Sequence, residues 1–436
     1  MHQILALVFF AATYVAIALG RIPGLRLDRA GAALAGAAGM VACGALSLQE
    51  AYRAIDLNTI VLLLGMMIVV ADLRLSGLFH RVSVWAAARA RRPLILLAAI
   101  AVVSAAFSAF LVNDTVCIVL TPLVCDLTRR LRRNPVPYLL GVAMASNAGS
   151  VATITGNPQN MIIGSFSHIP YIRFAAVLAP VAVVAVVLTI ALLALTFREE
   201  FWTADVLNGA DRLDDAVRPN ASTRQHAVRA RYAAGEPGIA AAQGSGDGLT
   251  ERLFMLRSLA VTLAMMAGFF AGLQPAAVAI AAAAVMLVTG RFEARKIYAE
   301  VDWPLLAMFA GLFIVVAGVQ KWVISGQMSA IIGALHLGRI TVLSTIAAVL
   351  SNIVSNVPAV LVLKPFIEVL HDPNRAWLAL AMASTLAGNL TLVGSIANLL
   401  VARGAEERGV RIGFWTYLKT GVPLTVLSIL VGVVWL

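Results

Sequence analysis

Charge is what this chain has least of. Of 436 residues, 13% are Asp, Glu, Lys or Arg and 61% are hydrophobic, whereas a soluble domain carries about a quarter charged residues to face water. A soluble enzyme is excluded, and so are a disordered chain and a fibre. Cysteine is scarce too: Cys43, Cys117 and Cys125 all sit in apolar stretches, with no even set for disulfides and no CxxC pair for a metal. The six histidines (His2, His80, His168, His226, His336, His371) are scattered, and no HExxH or GxSxG occurs. Without such signatures an intramembrane enzyme has nothing to work with, and no cofactor is expected. There is no P-loop either, so any ATP coupling has to come from a separate ATPase subunit. What the chain does have is a net charge of +11 on an apolar background. That suits the cytoplasmic loops of a polytopic membrane protein better than nucleic acid binding.

Apolar runs long enough to cross a bilayer as helices lie at roughly 4–20, 30–49, 57–79, 93–112, 115–128, 138–168, 171–197, 254–272, 275–290, 303–324, 338–354, 357–371, 376–402 and 413–435. The first has no basic n-region or small-residue cleavage site and reads as a retained span. The runs at 115–128 and 357–371 are too short to cross, and each follows an apolar run and a polar break, the pattern of a re-entrant hairpin. The runs at 138–168 and 376–402 are long but interrupted by Gly, Asn, Thr and Ser. When Lys and Arg are assigned to alternate sides of these spans, 26 fall on one side and 5 on the other, with Lys364 and Lys419 inside membrane segments. The rich side is cytoplasmic, as in the inner (plasma) membrane of a bacterium. Asp72 with Arg74 reads as a snorkelling pair at the cytoplasmic end of its span. Asp56 and Asp302 each start a span and read as caps.

Residues 198–253 are rich in charge, Gly, Ala, Pro and Ser, and read as a flexible cytoplasmic linker between a first membrane repeat, 1–197, and a second, 254–436. A small regulatory module is the other reading. The two halves share three blocks in the same order. DLNTIVLLLGMMIVVA from Asp56 matches DWPLLAMFAGLFIVVA from Asp302, with Gly65 opposite Gly311. SAFLVNDTVCIVLTP from Ser108 matches SNIVSNVPAVLVLKP from Ser351, with Asn113 opposite Asn356. MASNAGSVATITGNPQN from Met144 matches MASTLAGNLTLVGSIAN from Met382, with Thr153, Gly156 and Asn160 opposite Thr391, Gly394 and Asn398. The basic stretches at 89–92 and 129–133 put both ends of 93–128 on the cytoplasmic side, which a re-entrant hairpin and two full crossings satisfy equally. Read as hairpins, the first enters from the cytoplasm and the second from the other side. The expected fold is therefore an all-α polytopic membrane protein of two inverted repeats, each with a re-entrant helical hairpin and a broken transmembrane helix, the construction of many secondary transporters.

A break inside a membrane helix frees backbone groups that protein, water or a bound ion has to satisfy. Asn157 can cap a new helix with Pro158 at its first position, and that N-terminus presents donors and partial positive charge to an anion or polar oxygen. Freed carbonyls and the hydroxyls of Thr153 and Thr155 can instead coordinate a cation. Thr391, Gly394, Ser395 and Asn398 offer the same in the second half, and small-residue packing is the alternative for both. The hairpin tips supply Asn113, Asp114 and Thr115, and Ser355 and Asn356. Asp114, deep in the membrane, needs a cation, a proton or a partner, or it caps its helix. Lys364 has Glu368 four residues on for a local pair and is otherwise a candidate for attracting an anion. Residues 93–128 and 338–371 are expected to turn back near 113–114 and 355–356, and residues 153–157 and 391–395 to be non-helical and close together.

At these three blocks the sequence resembles the ion-transporter superfamily, which includes arsenite/antimonite permeases, the melanosomal pink-eyed-dilution protein, citrate permeases and divalent-anion/sodium symporters. SAFLVNDTVCIVLTP followed by ATITGNPQN is most similar to the arsenite-permease and pink-eyed-dilution branch, and LAGNLTLVGSIAN is also similar to bacterial citrate and anion permeases. The resemblance implies a homodimer whose protomers each move a transport part against a scaffold, elevator fashion. It implies a small anion or oxyanion substrate and coupling to H+ or Na+. In the symporters both tips read Ser-Asn-Thr, whereas here they read Val112-Asn113-Asp114 and Ser355-Asn356-Val357. That departure weakens the case for a citrate or dicarboxylate substrate. The added carboxylate favours a proton or sodium ion beside a weakly charged substrate such as arsenite, largely a neutral trihydroxide near neutral pH. A passive anion channel is a more distant alternative, since a channel does not need two broken-helix halves of opposite orientation.

Overall fold

The computed structural model describes residues 2–20, 27–79, 81–82, 92–202, 248–324 and 331–436, and every regular element among them is helical. The first half runs α1 (His2–Leu19), α2 (Arg29–Ala42), α3 (Leu48–Ala54), α4 (Leu57–Leu75), α5 (Pro93–Phe110), α6 (Asn113–Arg130), α7 (Pro135–Ser150), a 3-10 turn (Ile154–Gly156), α8 (Pro158–Ser167), α9 (Tyr171–Thr196) and α10 (Arg198–Trp202). The second runs α11 (Gly248–Phe270), α12 (Pro275–Thr289), α13 (Ala294–Ala299), α14 (Trp303–Val319) with a π turn after it (Gln320–Ile324), α15 (Ile340–Val354), α16 (Asn356–Ile367), α17 (Pro373–Leu386), a 3-10 turn (Ala387–Asn389), α18 (Ile396–Glu406) and α19 (Phe414–Trp435). Most of the expected linker, 203–247, lies outside the described residues. The short amphipathic helices α3, α10 and α13 carry too few apolar residues to stand out from the sequence. Among the described residues seven helices are long and apolar enough to cross a membrane: α1, α4, α5, α9, α11, α14 and α19.

Helix starts follow from local chemistry. Asp56 accepts the N–H groups of Asn58 and Thr59 at 3.3 Å, and Asp302 accepts that of Leu305 at 3.0 Å, so both cap as expected. Ser47 and Glu50 form a reciprocal capping box on α3. Lys321 reaches Glu50 at 2.6 Å, and together with Ser47 it holds the Glu50 carboxyl down at about 2.

Packing repeats between the halves. α4 lies against α12 and α14 against α2. The crossing glycines are Gly65, where a Cβ would come within 2.7 Å of the Ala279 backbone, and Gly311, where it would come within 2.7 Å of the Ala33 backbone. These helices and α1 form one group. The other group is α5–α9 with α15–α19, in which α7 is flanked by α5 and α9, and α17 by α15 and α19. The groups meet where α8 touches α4, α16 touches α14, α15 touches α1 and α9 touches α11.

Hydrogen bonds identify two opposite ends of the bundle. At one end Arg129 donates to the Arg408 carbonyl, Glu200 accepts from the Asn134 N–H and the Thr420 hydroxyl meets that of Thr196. At the other Arg375 donates to the Leu436 carbonyl and Trp435 to that of Val177. The α5–α6 hairpin has its base at the first end and the α15–α16 hairpin at the second, and their tips converge on one interior cavity. Two hairpins that enter from opposite ends and meet do not each cross the bundle.

One expectation is corrected. Asp72 does not pair with Arg74. It is fully buried and accepts two bonds from Arg257 and one from the Ser258 hydroxyl at 2.6 Å, while Arg74 pairs with Glu300 at 2.5 Å. The reason is geometric: Asp72 and Arg74, two apart on a helix, point to different sides, and Asp72 turns toward α11.

Candidate functional site

The cavity at the centre is walled by the first residues of four helices: Asn113 and Asp114 of α6, Pro158 and Gln159 of α8, Asn356 and Val357 of α16, and Ile396 of α18 preceded by Ser395. Ser355 and the α14 residues Leu305, Met308 and Phe309 close it. Each helix start carries backbone N–H groups without an intrahelical partner and partial positive charge. The α8 start is made by the polar break, as the Asn-Pro sequence predicts. The Asn157 side chain accepts the Asn160 N–H at 2.8 Å and Pro158 occupies the first helical position. The α15–α16 turn is achieved at a cost, because Ser355 is held at φ +79°, ψ 159°, a conformation nearly confined to glycine.

Behind the cavity the breaks are tied off by amide side chains in a pattern that repeats between the halves. Asn160 donates to the carbonyls of Ser150 and Thr153 at 3.1 and 2.9 Å. Its counterpart Asn398 donates to those of Gly388 and Thr391 at 2.7 and 3.2 Å. Across the pseudo-twofold, Thr385 donates to Asn160 at 3.4 Å, and Asn147, its counterpart, donates to Asn398 at 3.0 Å. Asn147 is the hub: its amide also donates to Asn389 at 3.0 Å, and its oxygen accepts from Asn113 at 3.1 Å and Ser395 at 3.2 Å. Asn157 and Gln159 each reach the Thr385 hydroxyl at 3.2 Å. The two breaks are thus joined at the middle of the bundle.

Of the residues expected at the site, Asn113, Asp114, Ser355, Asn356 and Ser395 line the cavity, and Thr115 lies next to Asp114 outside the lining. Thr153, Thr155, Gly156, Asn157, Asn160, Thr391, Gly394 and Asn398 form the layer behind. The carbonyls and hydroxyls there are already engaged. Thr153 donates to the Ala109 carbonyl, Thr155 meets the Tyr171 hydroxyl at 2.8 Å and Thr391 donates to Asn352 at 3.3 Å. Gly156 is packed so that a Cβ would press on the Ser150 backbone, and at Gly394 it would meet Asn352. Lys364 stays with Glu368 at 3.4 Å and lies 3.9 Å over the Phe166 ring, away from the lining. Gln159, Leu305, Met308, Phe309 and Ile396 were not anticipated, nor was the Asn147–Thr385 pair, although the aligned MASN and MAST blocks contain it.

Two features set the chemistry of the lining. It contains no Lys or Arg, and its one carboxylate, Asp114, makes no hydrogen bond or ion pair among the described residues, so it does not cap α6. The Asn113 and Asn356 side-chain oxygens are buried without a donor. The cavity therefore presents backbone donors and unfilled acceptors together. Among the described residues no group of three His, Cys, Asp or Glu is placed to hold a metal ion.

Comparison with known proteins places this architecture. The chain is 30% identical over 450 residues to a 46 kDa membrane protein of Mycobacterium leprae, covering all of this chain and 98% of that one. It is 29% identical to the silicon efflux transporter LSI3 of Oryza sativa subsp. japonica, over 94% of this chain and 93% of that protein. It is 27% identical to the putative transporter arsB of Dictyostelium discoideum, over 94% and 87%. The fold is similar to that of the Alcanivorax borkumensis YdaH transporter, with a TM-score of 0.53 and 15% identity across 99% of this chain and 97% of that one. The family described as citrate transporter matches residues 14–387, so the chain belongs to that family and is a multi-pass membrane transporter, not an enzyme.

Proposed function

We propose that the chain is a secondary active transporter for a small, weakly charged oxyanion or its neutral hydroxide, of the arsenite or antimonite kind, coupled to a proton or sodium gradient through Asp114. The observation that carries this reading is the lining itself. Four helix N-termini supply donors, the Asn113 and Asn356 oxygens supply acceptors, and no basic side chain is present. A hydroxyl both donates and accepts, so a polyhydroxide satisfies such a wall. A di- or tricarboxylate such as citrate instead brings two or three charges to a cavity whose one charged side chain is Asp114. The rice relative is named a silicon efflux transporter, and silicon dissolved in water is silicic acid, a neutral tetrahydroxide of the same class. The citrate or dicarboxylate reading rests on the family's description.

In this reading the group α5–α9 with α15–α19 carries the site and slides along α1–α4 with α11–α14 in an elevator movement, as a homodimer in a bacterial-type plasma membrane with the 198–253 linker cytoplasmic. A thermal-shift panel on purified protein with arsenite, antimonite, silicic acid, citrate, succinate, sulfate and sodium tests the substrate class, because a ligand that binds the folded state raises its melting temperature by mass action. Stabilisation by arsenite, antimonite or silicic acid and not by citrate is expected. The reverse order would give the citrate reading instead.

A further inference from the structure

The backbone of the broken helices decides which end of each amide side chain is left for the cavity. Asn160 spends its side-chain nitrogen on the Ser150 and Thr153 carbonyls, so its oxygen is the end that receives the Thr385 hydroxyl. A threonine hydroxyl has one proton. With that proton given to Asn160, Thr385 can only accept from its other neighbours, and it takes the amide nitrogens of Asn157 and Gln159, each at 3.2 Å. Gln159 therefore turns its nitrogen to Thr385, behind the lining. Its oxygen accepts no bond among the described residues, on a side chain that is 4% exposed and walls the cavity. The second break runs the same relay. Asn398 holds the Gly388 and Thr391 carbonyls and receives Asn147. Asn147 in turn receives Asn113, whose oxygen is left buried without a donor.

The repeat shows that packing does not call for Gln159. Its counterpart in the second half is Ala397, buried at the same place in α18, just as the counterpart of Asp114 is Val357. The first half thus carries polar groups at two lining positions where the second half is apolar. A buried acceptor left unmet is costly, and the donor that meets Gln159 has to come with the ligand. A metalloid hydroxide brings an O–H on each of its oxygens, whereas a carboxylate oxygen brings only lone pairs and charge.

We propose that Gln159 is a substrate-binding residue whose side-chain oxygen accepts a hydrogen bond from a hydroxyl of a neutral metalloid hydroxide, and that Thr385 is the positioning residue that keeps this oxygen inward. The proposal rests on the polyhydroxide reading of the cavity and deepens it. The test is gradient-free exchange in proteoliposomes, with arsenite, antimonite and silicic acid tried first on the wild type. For a substrate that exchanges, Gln159→Met, which keeps the length, and Gln159→Ala, which copies the second half, should each raise KM about three- to tenfold, the size of one neutral hydrogen bond. Maximal rate should stay near that of the wild type. Thr385→Val, or Thr385→Ala where the valine does not fold, should raise KM by a similar factor, and Thr385→Ser, which keeps the hydroxyl, should restore it. Gln159→Met combined with Thr385→Val should raise KM no further than Gln159→Met alone, because Thr385 acts through Gln159. A further rise in the double variant would mean general loosening and would overturn the positioning role. Exchange of none of the three hydroxides by the wild type removes the polyhydroxide reading and the Gln159 assignment with it. Exchange with wild-type KM in both Gln159 variants removes the assignment alone.

Discussion

A carboxylate two residues into a helix ordinarily bonds the free N–H groups of that helix, but Asp114 accepts none of them and faces the cavity. A charge left unpaired at that depth is costly, which is the argument for a coupling ion. Asp114→Asn keeps size and removes charge, so it should fold normally and abolish gradient-driven transport while substrate exchange without a gradient survives. Full gradient-driven flux in that variant, measured in proteoliposomes, would return Asp114 to a local role. Asn147 poses the opposite case, a residue whose work is entirely internal. Asn147→Ala leaves Asn113, Asn389, Asn398 and Ser395 each short of a partner. At roughly 1–3 kcal/mol for each buried group left unmet, it should lower unfolding stability by about 3 kcal/mol or more, read as a fall in melting temperature in detergent. Ser355→Gly should do the reverse by about 1 kcal/mol, because it relieves a positive φ that costs a residue with a Cβ of that order. Residues of this kind differ in how far the sequence exposes them. Asn157 and Pro158 announce a helix start by their chemistry, and Asp114 stands out by its charge. Asn147 looks like any small polar residue in a packed helix, and Leu305, Met308 and Phe309 look like any lipid-facing run until the fold turns them inward.

At the scale of elements, the repeat is what makes the sequence readable. Gly65 and Gly311 align in the sequence, and both prove to be crossing points where a neighbouring backbone leaves no room for a Cβ. Gly65→Ala and Gly311→Ala should each cost about 2 kcal/mol through overpacking, with nearly equal falls in melting temperature because the α4–α12 and α14–α2 crossings are equivalent. A large difference between the two would mean that the halves do not share the packing that their alignment implies. The hairpins were legible because each has a polar break between two apolar runs, and the broken helices because their interruptions align. The extent of α6 was not, since its polar ends, Asn113–Asp114 and Arg129–Arg130, fall outside the apolar run yet remain helical. Nor was the partner of Asp72, because Arg257 lies beyond the 203–247 segment and only packing of α4 on α11 brings the two together.

For the whole molecule, the division into two groups of helices is the feature on which transport depends. The group holding the cavity is bound internally by α9 against α19 and α6 against α18. It meets the other group through the Tyr14 hydroxyl donating to the Pro358 carbonyl at 3.1 Å, Phe166 of α8 edge-on to Phe313 of α14 with ring centroids 6.1 Å apart, and Phe110 of α5 and Tyr171 of α9 against Phe269 and Phe270 at the end of α11. Sliding of one group along the other has to break these contacts, whereas local gating by the hairpin tips leaves them in place. Joining the two sides at this seam separates the alternatives. With Phe166→Cys and Phe313→Cys in one chain, a short bifunctional thiol reagent should link α8 to α14, given that Cys117 and Cys125 are buried and Cys43 is partly shielded. The linked protein should still bind substrate, because neither ring lines the cavity, and should show the same thermal shift with ligand as the unlinked one. Its transport should stop in both directions, while each single-cysteine variant treated the same way continues. Transport at an undiminished rate in the linked protein would mean that α8 and α14 stay together throughout the cycle. Access would then have to alternate by movement of the α5–α6 and α15–α16 tips alone, with the frame and the body moving as one.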